Sequence, residues 1–279
     1  MQCGTLYVVA TPIGNLEDMT ARAIRILSEV NVIAAEDMRH SAVLLRHFGI
    51  RTETISLHEH NERDRVPSCV EMLRSGKSIA LISDAGTPLI SDPGYRLVGA
   101  ALEAGARVAP VPGACAAIAA LSVAGLPTDR FVFEGFPPAR AAARRALFER
   151  LASETRTLIF YESVHRVVET IDDMIAVFGA ERMAVVAREL TKAFETIYRG
   201  TLADARTQLM RSTDDLLGEF VMVVRGAVVD TDAIGPQTER VLRSLLGELP
   251  LKQAVALTAD ISGASKNALY RYALEIKAK

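Results

Sequence analysis

Short β-branched and apolar runs alternate along most of the chain with stretches whose apolar residues recur at helical spacing. The runs at 4–11, 31–36, 52–57, 78–83 and 107–111 predict strands, and the segments near 19–30, 39–48, 62–75, 93–104 and 114–124 predict helices between them. Such alternation implies a parallel sheet covered by helices on both faces, because parallel strands need a long crossover and a helix usually supplies it. Gly and Pro punctuation in "AGLPTDR" (124–130) then opens a second set. Its strands are predicted near 130–135, 157–162, 182–189, 195–200 and 219–225, with helices near 139–152, 165–178 and 202–212. A polar stretch, "VDTDAIGPQ" (229–237), leads into a third, wholly helical part. The pattern reads as an α/β protein with an N-terminal α/β domain at 1–126, a second at 127–228, and a linker with a helical tail at 229–279.

Composition narrows the class. A chain of 279 residues, 49% hydrophobic and 24% charged, is long enough for two ordinary cores. Its net charge of −2 excludes a polycation that seeks nucleic acid by bulk charge, so any basic contact surface must be local. Cys3, Cys69 and Cys115 are odd in number and form no Cys-x-x-Cys pair, which argues against a disulfide framework or a structural zinc. No apolar stretch approaches a membrane span, and "GTLYVVATP" opens as a strand with no basic leader. The expectation is a soluble, cytoplasmic protein.

The chemistry is sought in the loops at strand ends, where ligands of parallel α/β sheets bind. "ALISDAGTPLISDPG" (80–94) breaks a strand into two acidic turns rich in Gly and Pro. "TPIGN" (11–15) and "VPGACAA" (111–117) are also made of small residues with Gly or Pro at a strand end. Small side chains let backbone N–H and C=O groups approach a ligand closely. No P-loop signature occurs, and no Gly-x-Gly-x-x-Gly follows the first strand. A nucleoside-like ligand without phosphate would not need either cradle.

Seven segments then carry a family resemblance: "LYVVATPIGNLEDMTARA", "AAEDMRHS", "ALISDAGTPLISDPG", "PVPGACAAI", "TLIFYESVHR", "ARELTKAFET" and "KNALYRYALE". In order and spacing they closely resemble the bacterial small-subunit ribosomal RNA (cytidine-2′-O)-methyltransferases, within the tetrapyrrole methylase (class III methyltransferase) superfamily. The resemblance covers essentially the whole chain. It implies two α/β domains of tetrapyrrole-methylase type with S-adenosylmethionine in the cleft between them, plus a helix-turn-helix-like C-terminal unit. It also implies a homodimer, and 2′-O-methylation of one cytidine (cytidine 1402) of 16S ribosomal RNA, within the 30S subunit. On this resemblance Pro12, Asp84, Gly86, Thr87, Cys115 and Ala116 belong to the cofactor loops of the first domain. Tyr161, Leu190 and Phe220 are the second domain's contribution. An aromatic ring and carbonyl dipoles suit a sulfonium cation, and apolar walls suit adenine. The family's second motif more often reads AEDTRH, and Met38 stands here where that Thr would be.

A ribose hydroxyl is a poor nucleophile, so a base or a cation near it would help. Glu36, Asp37 and Lys192 are the candidates, with Glu36 and Lys192 preferred as catalytic residues. Glu36 and Asp37 beside Arg39 also fit helix N-capping, and Lys192 a surface charge or phosphate contact. Cys115 has no neighbouring His to make it a nucleophile, and methyl transfer needs no covalent enzyme intermediate. The histidines of "LHEHN" (57–61) lack a third ligand in register, so no metal is expected.

Two stretches carry local positive charge. The tail from Leu251 holds Lys252, Lys266, Arg271, Lys277 and Lys279 against Asp260 and Glu275. The stretch 139–156 holds Arg140, Arg144, Arg145, Arg150 and Arg156 against Glu149 and Glu154. Each suits phosphate tracking or a solvated helix face. Arg140, Arg144, Arg145, Lys252, Lys266 and Arg271 are the RNA-binding candidates. Tyr270 and Tyr272 suit base stacking, with core packing the alternative for at least one of them. Two other functions remain open at this point: a same-fold methyltransferase acting on a small molecule such as a tetrapyrrole, and a non-enzymatic nucleoside sensor that binds nucleic acid.

Overall fold

The computed structural model describes residues 3–211, 218–228 and 234–278. Lys279, residues 229–233 of the polar stretch and the last residue of the helix predicted at 202–212 lie outside the described residues. The chain forms two compact units, Met1–Gly226 and Ala227–Lys279.

In the first unit, β1 (Thr5–Val9), β2 (Val32–Ala35), β3 (Thr54–Ser56), β4 (Ile79–Ile82) and β5 (Arg107–Val111) form a sheet of order β3-β2-β4-β1-β5. Every pairing is parallel. Each residue of the central strands β2 ("VIAA") and β4 ("IALI") is buried, as expected for strands covered on both faces. The covering helices include α1 (Ala21–Glu29), α2 (Met38–His47), α3 (Glu62–Arg74) and α4 (Tyr95–Glu103). Local chemistry sets their ends. Thr20 caps α1 by accepting the Ala23 N–H at 3.1 Å, and Asp37 caps α2 by accepting the Arg39 N–H at 2.8 Å.

α5 (Ala116–Ala124) follows β5 in sequence but packs on the second sheet. Its Ala117, Ala120, Leu121 and Ala124 bury against Ile159, Val185, Val221 and Val223. With a boundary at residue 126 this helix is counted with the first domain, while its buried face packs on the second sheet.

The second sheet has the order β6-β7-β10-β8-β9, from β6 (Phe131–Gly135), β7 (Thr157–Ser163), β8 (Met183–Arg188), β9 (Thr196–Thr201) and β10 (Glu219–Val224). Only β6 and β7 pair in parallel; β10 runs antiparallel to β7 and β8, and β8 to β9. α6 (Ala141–Leu151), α7 (Val167–Phe178) and α8 (Leu202–Leu209) cover its other face through a core including Phe148, Phe160, Ile171 and Met222. Thr201 and Asp204 close α8 with a reciprocal capping box.

The second unit holds α9 (Pro236–Glu248), α10 (Leu251–Ser262) and α11 (Lys266–Ala278). Leu242, Val255, Ala259, Leu269 and Ala273 form its small core. Gly263, at φ +72°, ends α10 in the left-handed conformation and turns the chain into α11. Among the described residues no helix is long and apolar enough to cross a membrane.

Candidate active site

All three loops singled out in the sequence emerge at the carboxyl edge of the first sheet, and hydrogen bonds lace them together. The Thr11 N–H donates to the Gly86 carbonyl at 2.8 Å, and the Gly86 N–H returns to the Thr11 carbonyl at 3.2 Å. The Thr87 hydroxyl donates to the Ala114 carbonyl at 2.9 Å. Gly86 is required at this junction: its φ is +81°, and a Cβ there would stand 3.2 Å from Ile13 Cγ2.

Opposite these loops, the second sheet presents β7, β10 and the turn after β8, and two cavities open between the sets. The first, of about 320 Å³, is lined by Gly86, Thr87, Cys115, Ala116, Tyr161, Leu190 and Phe220, all of them sequence candidates. Ile13, Phe136, Ser163 and Asp92, which sequence reasoning did not assign, complete its wall. The aromatic part is held rigidly. The Tyr161 hydroxyl accepts the Ala117 N–H at 3.1 Å, and its ring meets Phe133 and Phe136 edge-on at centroid distances of 4.8 and 5.6 Å. Burial keeps the Tyr161 phenol well above its ordinary pKa and hence neutral.

The second cavity, of about 340 Å³, is lined by Pro12, Asp84 and Lys192 together with Gly14, Ser83 and residues of α2. Ile13, Ala85 and Glu219 line both cavities, so the two adjoin. Pro12 and Asp84 thus stand at the second cavity, while the other seven cofactor candidates gather at the first.

The charges at this edge are arranged in pairs, with one exception. Glu36 lines neither cavity; its carboxylate accepts the Asp84 N–H at 3.4 Å, while Asp84 accepts the Asp37 N–H at 3.1 Å. This clasp ties the loop after β2 to the loop after β4. Burial raises the Glu36 pKa, opposed by the Asp84 N–H and reinforced by the Asp84 charge. Lys192 donates to Glu189 at 2.8 Å and to Glu219 at 3.0 Å. Burial works against its charge, but these two carboxylates outweigh that and hold the ammonium above the ordinary lysine range. A lysine so held is a fixed cation and a poor base. Gly14 lets the Lys192 stem pass, since a Cβ there would lie 2.3 Å from Lys192 Cγ.

The exception is Asp92, which has no ion-pair partner among the described residues. Burial pushes it up to about 6, against the hydrogen bond from Ser83 and with the charges of Glu36 and Asp84 adding to the rise. It follows Leu89 and Ser91, both non-glycine residues with positive φ (74° and 66°). Strain of this kind persists only where the surroundings enforce it, and it clusters at functional sites. The signal available in the sequence was the second acidic turn, Asp92-Pro93-Gly94, which carried no assignment.

The arginine stretch differs from its sequence reading. Arg144 is only 2% exposed; its guanidinium donates to Asp173 at 2.7 Å and to the Ala139 carbonyl at 3.3 Å. It is a buried structural ion pair and not a phosphate contact. Arg145 shares the same carboxylate, and Arg156 is paired with Glu154. Arg140 is exposed. In the second unit Lys252, Lys266 and Arg271 are all exposed. Tyr272 packs on the core, and the neighbouring Glu239 carboxylate of α9 raises its pKa, whereas Tyr270 is 38% exposed. No grouping of three or more His, Cys, Asp or Glu suited to a metal ion occurs among the described residues.

Comparison with known proteins agrees with this geometry. The family model described as "Tetrapyrrole (Corrin/Porphyrin) Methylases" matches residues 5–206, and "RsmI C-terminal HTH domain" matches residues 232–277. Proteins named "Ribosomal RNA small subunit methyltransferase I" are similar over the full length. The one from Pseudomonas aeruginosa is 54% identical, covering 100% of both chains. The one from Haemophilus influenzae is 52% identical over 97% of this chain and 96% of its own. Among solved structures, uroporphyrin-III-C-methyltransferase from Thermus thermophilus superposes with a TM-score of 0.57 at 20% identity, covering 80% of this chain and 94% of that one. Diphthine synthase does so with a TM-score of 0.55 at 13% identity, covering 79% and 89%. At such identities these two structures speak to the fold alone.

Proposed function

The chain belongs to the tetrapyrrole methylase family and is a methyltransferase, and from that premise we propose that it methylates the ribose 2′-oxygen of a cytidine in 16S ribosomal RNA, with S-adenosylmethionine as donor. The observation that carries the reading is the pair of adjoining cavities sharing Ile13, Ala85 and Glu219: a two-substrate transfer needs two compartments with a common edge.

The first cavity fits the donor. Its wall is largely apolar and aromatic, and it has no phosphate cradle. Gly86, Thr87, Cys115, Ala116, Tyr161, Leu190 and Phe220 would hold that donor, which when bound supplies an electrophilic methyl group. Pro12 and Asp84 shape the common edge from the second cavity. Lys192, fixed by Glu189 and Glu219, provides a positive charge there for an RNA phosphate. Glu36 acts one step back, by locking the loop of Asp84. Positioning two reactants across such an edge is worth up to about 7–11 kcal/mol of barrier in well-oriented cases.

Arg140 on the first unit and Lys252, Lys266 and Arg271 on the second are the proposed phosphate contacts. The acceptor is proposed to be the assembled 30S subunit in the cytoplasm, and the enzyme a homodimer. In support of the dimer, Tyr95 and Leu102, seven residues apart on α4, are 79% and 59% exposed and form an apolar stripe for a second copy. The test is transfer of labelled methyl from S-adenosylmethionine to 30S subunits from cells lacking the protein, with naked 16S RNA and a tetrapyrrole precursor as parallel acceptors. Label on one cytidine ribose is expected. Label on the tetrapyrrole alone would overturn the RNA reading and leave the family assignment intact.

A further inference from the structure

We propose that Asp92 is the base of this methyl transfer, accepting the proton of the ribose hydroxyl as the oxygen takes the methyl group. The inference deepens the function proposed above and rests on it. Asp92 lines the first cavity, while Ser83, whose hydroxyl favours its charged form, lines the second. Asp92 and Ser83 together thus connect the donor's cavity with the acceptor's, the passage along which the hydroxyl proton must be collected.

The other charged groups around this wall are engaged elsewhere. Glu162 is buried and holds Arg166 at 2.6 Å and the Thr170 hydroxyl at 2.7 Å. Glu219 holds Lys192. Asp84 and Glu36 are clasped through backbone N–H groups, and the Tyr161 phenol is neutral. Among the described residues, Asp92 alone of these carboxylates is given neither a cation nor a backbone donor as partner by the fold. Its loop also touches the second domain, because a Cβ on Gly135 of β6 would stand 3.4 Å from Ser91 Oγ. Gly94, at φ +123°, packs so closely that a Cβ would stand 2.6 Å from Leu81 Cδ2, which anchors the far end of the turn.

The chemistry balances without another reactant. The O–CH₃ bond forms as the S–CH₃ bond breaks, the electron pair of that bond discharges the sulfonium to a neutral thioether, and the hydroxyl proton passes to the Asp92 carboxylate. A carboxylate with a pKa raised to about 6 is ionised at neutral pH yet more basic than an ordinary aspartate, which suits a general base.

The experiment measures single-turnover methyl transfer to 30S subunits between pH 5 and 8.5 for wild type, Asp92→Asn and Ser83→Ala. Calorimetric binding of S-adenosylmethionine and of uncharged S-adenosylhomocysteine is measured alongside. The wild-type rate should rise with pH through about 6 and then level, because only the deprotonated carboxylate accepts a proton. Asp92→Asn should cost about 10²- to 10⁴-fold in rate and abolish that rise. Both ligands should still bind within about threefold of wild type, the margin we set for a group that acts in chemistry and not in donor binding. Ser83→Ala removes a hydrogen bond that lowers the Asp92 pKa and should move the rise to higher pH.

Three results would overturn the assignment. The first is an Asp92→Asn rate within fivefold of wild type, and the second is a rise that persists in that variant. The third is loss of S-adenosylmethionine binding with its rate at saturation retained, which would make Asp92 the holder of the donor's positive charge. A wild-type protein that transfers no methyl to RNA fails at an earlier point, taking down the RNA reading and this inference with it.

Discussion

The arginine stretch at 139–156 and the basic tail from Leu251 look alike in the sequence, each with five cations against two carboxylates. In the folded protein they are different objects. In the first, Arg144 and Arg145 converge on Asp173, which is itself buried, and Arg156 turns back onto Glu154. In the tail, Lys252 and Lys266 remain exposed, and Lys266 makes a loose 3.9 Å contact with exposed Asp260. Local charge counts formal groups, whereas phosphate binding needs groups whose fields are not already neutralised. The partner that neutralises Arg144 lies 29 residues away, on another helix.

The largest effect that would test this contrast is on stability. Arg144→Ala leaves the Asp173 carboxylate short of its buried partner and should destabilise the first unit by about 3–5 kcal/mol, the usual cost of breaking a buried pair. Denaturant unfolding followed by circular dichroism measures it, and a loss under 1 kcal/mol would mean that the pair is not the structural element described here. Next comes a pH dependence at the same site. Burial disfavours the Asp173 charge, but the hydrogen bonds from Arg145 and Arg144 outweigh it and depress its pKa. A depressed carboxylate contributes stability that is present above its unfolded value and is lost as pH falls through the folded one. The stability advantage of wild type over Asp173→Asn should therefore be full at neutral pH and shrink in acid. The smallest stability effect and a clear binding effect belong to the tail. The double variant Lys252→Ala/Lys266→Ala should stay within about 0.5 kcal/mol of wild type, while its RNA affinity falls and the salt dependence flattens by about one charge per lost contact. An unchanged salt slope would remove these two lysines from the RNA surface.

Much of the fold was legible because periodicity is a local property. Among the described residues, the strands and the helices between them lie where the apolar runs and helical spacing predict them, since each element buries a face that its own residues define. Less legible was the second sheet's mixed direction. Nothing within "EFVMVV" tells β10 to insert antiparallel between β7 and β8, because pairing partners are chosen by chain reversal and layer packing. The assignment of α5 to the second sheet was equally hidden, since a helix rich in alanine accepts either surface.

The site divides in the same way. "TPIGN", "SDAGTP" and "VPGACAA" identify themselves by small residues at strand ends, and seven of the nine cofactor candidates line one cavity. The role of each charge was decided elsewhere. Lys192 is held as a cation by Glu219, 27 residues distant; Glu36 is turned from the cavities by Asp84, 48 residues distant; and Asp92 lines a cavity with no ion-pair partner among the described residues. Residue type and spacing determine which segments fold and which loops can approach a ligand, because backbone conformation and burial depend on near neighbours. Protonation state and availability depend on what other parts of the chain bring within a few ångströms, and only the tertiary structure decides that.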